Sequence, residues 1–264
     1  MLIAQISDPH VCAPGVLYKG VANSNALLLD AINHLNHLDC RPDLVLVTGD
    51  LTDEGRASEY EHALELFSCL KIPYRVIPGN HDHRERLRAF FGEPSYLPKT
   101  GSLHYCLEDW PVRVVALDTC VAGAHHGAID SDGLGWLDDT LKANRDKPTL
   151  VLMHHPPFTS GIAYLDEYRF REPEGLRAII QAAPNVEAVL VGHVHRHMTH
   201  RWAGTLVITC PSSATEIALQ LQADAQPQSF LAPQACMLHL WQPGTGLVSH
   251  LSFIGNYPGP YDFF

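Results

Sequence analysis

The sequence predicts an α/β fold, a two-sheet β-sandwich flanked by helices. The runs Leu44–Thr48 and Thr149–Met153 are short and almost entirely apolar, which is typical of strands that are buried on both faces beneath helices. Strands alternate with amphipathic helices in the first part of the chain, and strands predominate in the last part. This order of elements favours two packed sheets.

The first half of the chain supplies strands and helices in alternation. Strands are predicted over Leu2–Ser7, Leu44–Thr48 and Tyr74–Pro78. Helices are predicted where apolar residues recur at helical spacing, over Asn23–Leu38, Ser58–Leu70 and Arg84–Phe91. Each strand is thus followed by a segment that can cover one face of a sheet.

The second half begins with a predicted hairpin, in which residues 102–107 and 112–117 flank a turn at 108–111 and add antiparallel strands to the sheet. The helices and strands that follow alternate over Asp132–Asn144, Thr149–Met153, Gly175–Ala183 and Ala188–Val191. Later strands are predicted over Thr205–Thr209, Met237–Trp241 and Leu247–Phe253. Residues 223–234 are rich in Gln, Ala and Pro and are predicted to form a surface excursion.

The length of 264 residues suits one domain, with residues 1–210 as its core and residues 211–264 as a β-rich extension. The net charge of −11 argues against a nucleic-acid polymer or an anionic membrane surface as a partner, since such binders normally carry a basic face. No apolar stretch approaches the length of about 20 residues that spans a membrane. Seven scattered cysteines without a CxxC pair, and no recognisable signal peptide, predict free thiols and a cytoplasmic location.

Five short polar strings, each directly after a predicted strand, carry the main functional signal. They are Asp8-Pro9-His10, Gly49-Asp50, Gly79-Asn80-His81-Asp82, His154-His155 and Gly192-His193-Val194-His195. Because ligands gather at the carboxyl ends of strands in α/β sheets, we expect these side chains to meet at one edge. If strand geometry persists, Asp8 and His10 point the same way, as do His193 and His195, since side chains alternate along a strand.

Seven of these residues are candidate metal ligands, namely Asp8, His10, Asp50, Asn80, His154, His193 and His195. Their carboxylate, amide and imidazole donors suit Mn, Fe, Co, Ni or Zn and argue against a structural zinc site built on cysteines. Two ions about 3.5–4 Å apart, sharing Asp50 and a bridging hydroxide, would use all seven and would clamp an in-line phosphoryl displacement. Two divalent ions, two carboxylates and the hydroxide leave one positive charge, which attracts a phosphodiester monoanion.

In order and spacing, the five strings resemble the motif blocks of the calcineurin-like metallophosphoesterases over residues 8–195. Within that family, His125-His126-Gly127 and His154–Pro157 resemble class III cyclic-nucleotide phosphodiesterases, and Tyr257–Pro260 resembles bacterial glycerophosphodiesterases. Pro9 departs from the Thr or Ser that is common in the family, but its side chain is not a ligand. The resemblance implies an αββα sandwich that hydrolyses small phosphodiesters, either 3′,5′-cyclic nucleotides such as cAMP or glycerophosphodiesters.

The same resemblance implies two divalent or mixed-valence ions of the Mn, Fe, Zn and Co class, and a role for each motif residue. The first ion would be held by Asp8, His10, Asp50 and His195, and the second by Asp50, Asn80, His154 and His193. A metal-bound hydroxide would be the nucleophile, with Asp50 as the bridge. His81 would face the phosphate, where it would stabilise transition-state charge or protonate the leaving oxygen.

Several alternatives stay open at this point. The same residues suit a phosphomonoesterase or nucleotidase, or a metal-binding scaffold without catalysis. They also suit a DNA nuclease, although the acidic net charge argues against one. The family often forms dimers, which leaves a homodimer or higher homo-oligomer open, with residues 211–264 as an interface or a lid. Asp82 and His155 are expected to support the loop or the ligands rather than to do chemistry. The sequence assigns no role to His125, His126 or His197.

Overall fold

A computed structural model describes residues 1–92 and 96–264 of the chain. Its elements, in chain order, are β1 (Leu2–Ile6), α1 (Ser24–Asn36), β2 (Leu44–Thr48), α2 (Ala57–Phe67), β3 (Tyr74–Ile77), α3 (Arg84–Phe91), β4 (Tyr105–Leu107), β5 (Arg113–Ala116), α4 (Ser131–Ala143), β6 (Thr149–Met153), α5 (Ala163–Asp166), α6 (Glu174–Gln181), β7 (Val186–Val191), β8 (Thr199–Trp202), β9 (Thr205–Thr209), β10 (Glu216–Ile217), β11 (Ser229–Phe230), β12 (Ala235–Gln242) and β13 (Gly246–Phe253). Within the described ranges, no helix has the length and apolar character needed to cross a lipid bilayer.

Two main sheets form the body of the molecule. The first has the order β13-β12-β1-β2-β3, in which β1, β2 and β3 are parallel and β12 pairs antiparallel with β1. The second has the order β4-β5-β6-β7-β9-β8, with antiparallel strands at both edges. The predicted two-sheet sandwich and the predicted antiparallel hairpin at β4 and β5 are confirmed.

The cores explain why the central strands are apolar throughout. Val114 and Leu150 of the second sheet pack in one cluster with strands of the first sheet. Their sequence neighbours Val115 and Val151 pack in another cluster with α4 and α6. Because successive side chains of a strand point to opposite faces, each of these strands is covered on both sides.

Local sequence signals set where the helices begin. Asn23 and Asp130 precede α1 and α4, and their side chains accept hydrogen bonds from Ala26 N at 3.2 Å and Gly133 N at 2.8 Å. Such caps satisfy backbone donors that have no partner within the helix. The apolar residues of these helices then face the sheets.

Three features were not predicted: α5, β8 and the small hairpin of β10 and β11. With four residues, α5 is too short to show a helical period. Three of the four residues of β8 are exposed, and its hairpin with β9 depends on Ala203 and Gly204 at φ 52° and 85°, which suits a two-residue turn. Part of the predicted surface excursion forms β11, because Ser229 and Phe230 pair with Ile217 and Glu216.

His239 of β12 is a fully buried titratable residue within the first sheet. Its Nε2 lies 3.1 Å from Gln5 Oε1, and its Nδ1 lies 2.7 Å from Ser249 Oγ. Burial lowers the pKa of His239 to about 3, and the nearby His197 acts in the same direction. The ring is therefore neutral in the folded protein over the whole physiological range of pH.

This buried ring should make the fold sensitive to acid. In the unfolded chain the ring titrates near its ordinary pKa of about 6.5, so protons favour the unfolded chain as the pH falls from that value toward the folded pKa. We expect His239 to reduce the free energy of unfolding by about 2 kcal/mol between pH 8 and pH 5. Chemical denaturation should show that His239→Gln loses less stability over this interval than the native protein. An identical pH dependence in the two proteins would contradict this.

Candidate metal centre

The loops that follow β1, β2, β3, β6 and β7 meet at one edge of the sandwich. The first two run side by side, since Asp8 N donates to Gly49 O at 3.1 Å and His10 N donates to Asp50 O at 3.0 Å. The structure brings all seven predicted ligand residues to this edge; six are buried, and Asn80 is half-buried.

The backbone of this edge is not strand-like. Residues Asp8, His10, Asp50, His193 and His195 have φ values of 50°, 43°, 49°, 69° and 53°. Since β1 ends at Ile6 and β7 ends at Val191, strand geometry does not persist through these pairs, and the condition for the predicted alternation is not met. The side chains converge because the chain turns through the left-handed region, which costs about 1–3 kcal/mol per residue and is concentrated at functional sites.

Asp8, His10 and His195 form the first group of donors, whose atoms lie within 4.8 Å of one another. His195 Nε2 is 3.1 Å from His10 Nε2 and 3.4 Å from Asp8 Oδ1. These separations match the edges of a coordination polyhedron with metal–donor distances of about 2.0–2.2 Å. The three side chains can therefore surround one cation.

His154 is the centre of the second group. Its Nε2 lies 3.4 Å from Asp50 Oδ2 and 3.2 Å from Asn80 Oδ1. The ring of His193 lies 5.1 Å from that of His154, and its buried Nε2 has no hydrogen-bond partner among the residues that the structure describes. Asp50 Oδ2 is also 3.7 Å from His10 Nε2, so this one carboxylate oxygen reaches both groups.

Backbone carbonyl groups fix the orientation of the histidine rings. His154 Nδ1 donates to Thr48 O at 2.7 Å, and His195 Nδ1 donates to Thr215 O at 3.0 Å. Each bond leaves Nε2 to face the site, as is usual for metal-binding histidines. Asp53 Oδ1 lies 3.6 Å from His10 Nδ1. We did not predict Asp53, although its place three residues after Asp50 was an available signal; nothing in the sequence marks the carbonyl of Thr215.

The buried histidines differ in charge. Burial lowers the pKa of His10 to about 4 and that of His193 to about 3, so both rings are neutral at pH 7 and keep lone pairs for ligation. Burial also disfavours charge on His154, but the carboxylate of Asp50 raises the pKa of His154 to about 9. Burial alone would raise the pKa of Asp50, yet the charge of His154 holds it well below its usual range. A bound cation would therefore displace a proton from His154.

The residues present fit a pair of divalent cations. Asp8 and Asp50 are almost completely buried, and buried carboxylates need positive partners. In the part of the chain that the structure describes, neither forms an ion pair with a lysine or arginine. The Nε2 of His193, which has no partner within residues 1–92 and 96–264, and the mixed oxygen and nitrogen donors also suit borderline divalent metals.

His81 and Asp82 follow Asn80 and have different environments. The backbone N–H of His81 donates to Asp50 Oδ1 at 2.8 Å, and its Nδ1 donates to Asp53 O at 2.6 Å, which leaves Nε2 for other contacts. Asp82 accepts hydrogen bonds from Gly79 N at 2.9 Å and from Leu51 N at 3.0 Å. Asp82 therefore ties the β3 loop to the β2 loop.

Gly79 is required because Asp50 occupies the space of a side chain. A Cβ at Gly79 would overlap both Asp50 Oδ1 and the backbone N of Asp50. We expect Gly79→Ala to displace Asp50 and to reduce turnover of an aryl phosphodiester by about 100-fold, since a misplacement of about 1 Å has that effect. Gly135 in α4 is the matched control, since its Cβ would meet nothing within 4 Å. Gly135→Ala should keep full activity and gain roughly 1 kcal/mol of stability; equal activity in the two variants would contradict the crowding argument.

A cavity of about 500 Å³ lies over the two donor groups. Its lining includes Tyr18 and Lys19 from the loop after β1, together with Tyr164, Tyr168 and residues 227–229. Tyr18 is buried and stacks on the ring of His10 with 4.4 Å between ring centroids. Among the described residues that line the cavity, Lys19 alone carries a permanent positive charge. The wall that includes α5 and β11 was not predicted.

The remaining histidines divide by position. His125 is exposed at the cavity and accepts a hydrogen bond from Asn80 Nδ2 at 3.1 Å, which orients the Asn80 oxygen toward His154. His155 is buried, with Nδ1 2.7 Å from Thr119 Oγ1. His126 and His197 are not among the described residues that line the cavity.

Comparison with known proteins agrees with the family that the five polar strings resemble. A family model described as calcineurin-like phosphoesterase matches residues 1–197, which include all five polar strings. The chain is 36% identical over 265 residues to the probable glycerophosphodiester phosphodiesterase GpdQ of Arcobacter nitrofigilis, covering 100% of this chain and 97% of that protein. It is 28% identical to the 3′,5′-cyclic adenosine monophosphate phosphodiesterase CpdA of Haemophilus influenzae, covering 85% and 79%. A dimetal phosphatase from Danio rerio has a similar fold, with a TM-score of 0.63, 14% identity and coverage of 97% and 99%.

Proposed function

The chain belongs to the calcineurin-like phosphoesterase family, as its motifs predicted, and on this premise we propose that it hydrolyses small phosphodiesters of the glycerophosphodiester class. Family membership makes it a metallophosphoesterase with a dinuclear site for divalent metals. One observation carries the proposal. Asp50 Oδ2 lies 3.7 Å from His10 Nε2 and 3.4 Å from His154 Nε2, and so joins two donor groups beneath a cavity large enough for a small diester.

The proposed ligands of the first ion are Asp8, His10, Asp50 and His195, and those of the second are Asp50, Asn80, His154 and His193. When bound, two divalent ions would polarise a phosphoryl oxygen and lower the pKa of a coordinated water. Metals of the Mn, Fe, Zn and Co class, divalent or mixed-valence, suit these donors. With the carboxylates of Asp8 and Asp50, two such ions give a net charge of +2, which attracts a monoanionic diester despite the protein charge of −11.

The other residues of the cavity have proposed tasks of their own. His81 presents Nε2 to the substrate, where it protonates the leaving oxygen or stabilises charge that develops in the transition state. Lys19 adds a positive charge to the lining of the cavity. Tyr164 and Tyr168 also line the cavity and limit the space for the leaving group.

The choice of substrate class is supported by how far the relatives align. The GpdQ relative aligns over 97% of its length and the CpdA relative over 79%. Cyclic nucleotides such as cAMP are therefore the second candidate class.

Residues 211–264 contribute Thr215, Ile217 and residues 227–229 to the cavity, which supports the proposal that they extend the same domain and act as a lid over the site.

We also propose the cytoplasm as the location. All seven cysteines are free thiols, and three of them are buried. Proteins that keep this many unpaired cysteines are typical of reducing compartments.

A kinetic comparison with defined metal content tests the function. The protein is stripped with a chelator, reloaded with Mn²⁺ to known stoichiometry, and assayed on glycerophosphocholine, cyclic AMP, bis(p-nitrophenyl) phosphate and the monoester p-nitrophenyl phosphate. We expect no turnover after stripping, faster hydrolysis of diesters than of the monoester, and the highest kcat/KM of the natural substrates for glycerophosphocholine. Preference for cyclic AMP would select the second class, preference for the monoester would indicate a phosphomonoesterase, and loaded protein without turnover would indicate a scaffold.

A further inference from the structure

A chain of hydrogen bonds runs from Asp8 through the interior to the C-terminal strands, and we call it the Asp8 relay. Its links join Ser7 Oγ to Asp8 Oδ2, Thr48 Oγ1 to Ser7 Oγ at 2.8 Å, Gln5 Nε2 to Thr48 Oγ1 at 2.9 Å, His239 Nε2 to Gln5 Oε1 at 3.1 Å, and Ser249 Oγ to His239 Nδ1 at 2.7 Å. The five members from Asp8 to His239 are fully buried. No step of the proposed reaction uses this path.

Groups that can only accept fix the direction of the links nearest to Asp8. The Asp8 carboxylate accepts, so the Ser7 hydroxyl donates to it. The Ser7 oxygen in turn accepts a hydrogen bond from the Thr48 hydroxyl. The Thr48 hydroxyl oxygen accepts one from the side-chain N–H of Gln5. Each hydroxyl therefore donates its hydrogen bond in the direction of the carboxylate.

The backbone carbonyl of Val191 fixes the direction of the remaining links, at Gln5 and His239. It can only accept, and it lies 3.2 Å from Gln5 Nε2, so the amide of Gln5 must turn its oxygen toward His239. His239 then carries its proton on Nε2 and accepts from Ser249 on Nδ1. All donors of the relay thus point from the C-terminal strands toward Asp8, and hydrogen bonds aligned in this way strengthen one another.

The relay acts on one oxygen of Asp8. Oδ2 alone accepts from Ser7, whereas His193 N donates to both oxygens, at 3.0 Å from Oδ2 and 3.1 Å from Oδ1. Oδ1 shares the His193 N–H and faces the imidazoles, 3.4 Å from His195 Nε2 and 3.9 Å from His154 Nε2. The carboxylate cannot rotate without breaking the bond from Ser7.

We propose that the Asp8 relay holds Asp8 as a one-oxygen ligand of the first ion, and that Gln5 and His239 are positioning residues of the metal centre. This inference rests on the ligand role of Asp8 in the proposed function. It gives strand β12 a part in metal binding, although β12 lies beyond residues 1–197 that the family model matches. Groups that hydrogen-bond to ligating carboxylates typically change metal affinity by about 10–100-fold.

Calorimetric titration of metal-free protein with Mn²⁺ tests the relay. Thr48→Val removes the central hydroxyl and keeps the shape, and it should weaken binding of one ion by about 10–100-fold. Thr48→Ser keeps the hydroxyl and should restore the affinity. Thr149→Val is the matched control, because Thr149 is an equally buried strand residue whose hydroxyl bonds Lys147 O at 2.9 Å. It should leave both affinities unchanged. His239→Leu should show a smaller loss in the same direction.

Asp8→Asn separates failure of the relay from failure of the proposed function. If Asp8→Asn loses an ion while Thr48→Val binds Mn²⁺ as the native protein does, the relay is overturned and the ligand role stands. If Asp8→Asn also binds two ions normally, the ligand role itself is overturned. A loss in Thr149→Val equal to that in Thr48→Val would show a general packing effect and would overturn the relay. Should Thr48→Val fail to fold, Ser7→Ala breaks the last link and provides the same comparison.

Discussion

Asp50→Asn should lower kcat/KM on bis(p-nitrophenyl) phosphate by about a thousandfold or more, which corresponds to about 4 kcal/mol of transition-state stabilisation. The substitution keeps the shape of the side chain and removes the negative charge that reaches both donor groups. Asp50 Oδ2 is 3.7 Å from His10 Nε2 and 3.4 Å from His154 Nε2. A neutral amide is a poor bridging ligand for two cations, so the number of bound metal ions should also fall below two per chain.

Elemental analysis and steady-state kinetics on the same samples measure both effects. Asp139→Asn is the matched control, since Asp139 is exposed on α4 away from the cavity. It makes the same change in net charge and should keep full activity and metal content. Asp50→Asn protein with two ions and native turnover would refute the assignment of Asp50 as the bridge.

His81→Asn should reduce kcat on glycerophosphocholine by about 10²–10⁴-fold, which is the range for loss of a general acid. The backbone of His81 is anchored to Asp50 and its Nδ1 to Asp53 O at 2.6 Å, so Nε2 is held in a fixed place. KM should change little, because the ring acts mainly on the leaving oxygen in the transition state.

Two leaving groups distinguish the two roles proposed for His81. A glycerol or choline alkoxide needs a proton as it departs, and p-nitrophenolate does not. A general acid therefore predicts a large loss on glycerophosphocholine and a small loss on bis(p-nitrophenyl) phosphate, whereas stabilisation of phosphoryl charge predicts similar losses on both. His37→Asn, at the exposed position directly after α1, is the control and should match the native protein. Native rates for His81→Asn on both substrates would remove His81 from the mechanism.

The strand ends could be predicted from sequence because continuous apolar runs mark buried strands. The predicted bounds of β2 and β6 match those observed, Leu44–Thr48 and Thr149–Met153. The polar residue that follows such a run has to lie at the edge of the sheet. The convergence of Asp50 with His154, which are more than 100 residues apart, follows from this rule and from the sheet order.

The local geometry of that edge could not be predicted. Nothing in Asp8-Pro9-His10 signals that both flanking residues adopt φ near +45°; the turn is imposed by hydrogen bonds to the neighbouring loop, Asp8 N to Gly49 O and His10 N to Asp50 O. The contact that orients His195 was missed for a related reason. The contact between His195 Nδ1 and Thr215 O depends on a backbone group, and backbone groups are the same at every position of a sequence.

The place of β1 between β2 and β12 has a consequence for biosynthesis. Leu2 pairs with Leu240, so β1 leaves the ribosome long before the segment that forms its second neighbour has been synthesised. At 5–20 residues per second, this delay is roughly 10–50 s. During that time the nascent chain exposes an unpaired, apolar strand edge, which is a ready site for chaperones to bind and for aggregation to begin.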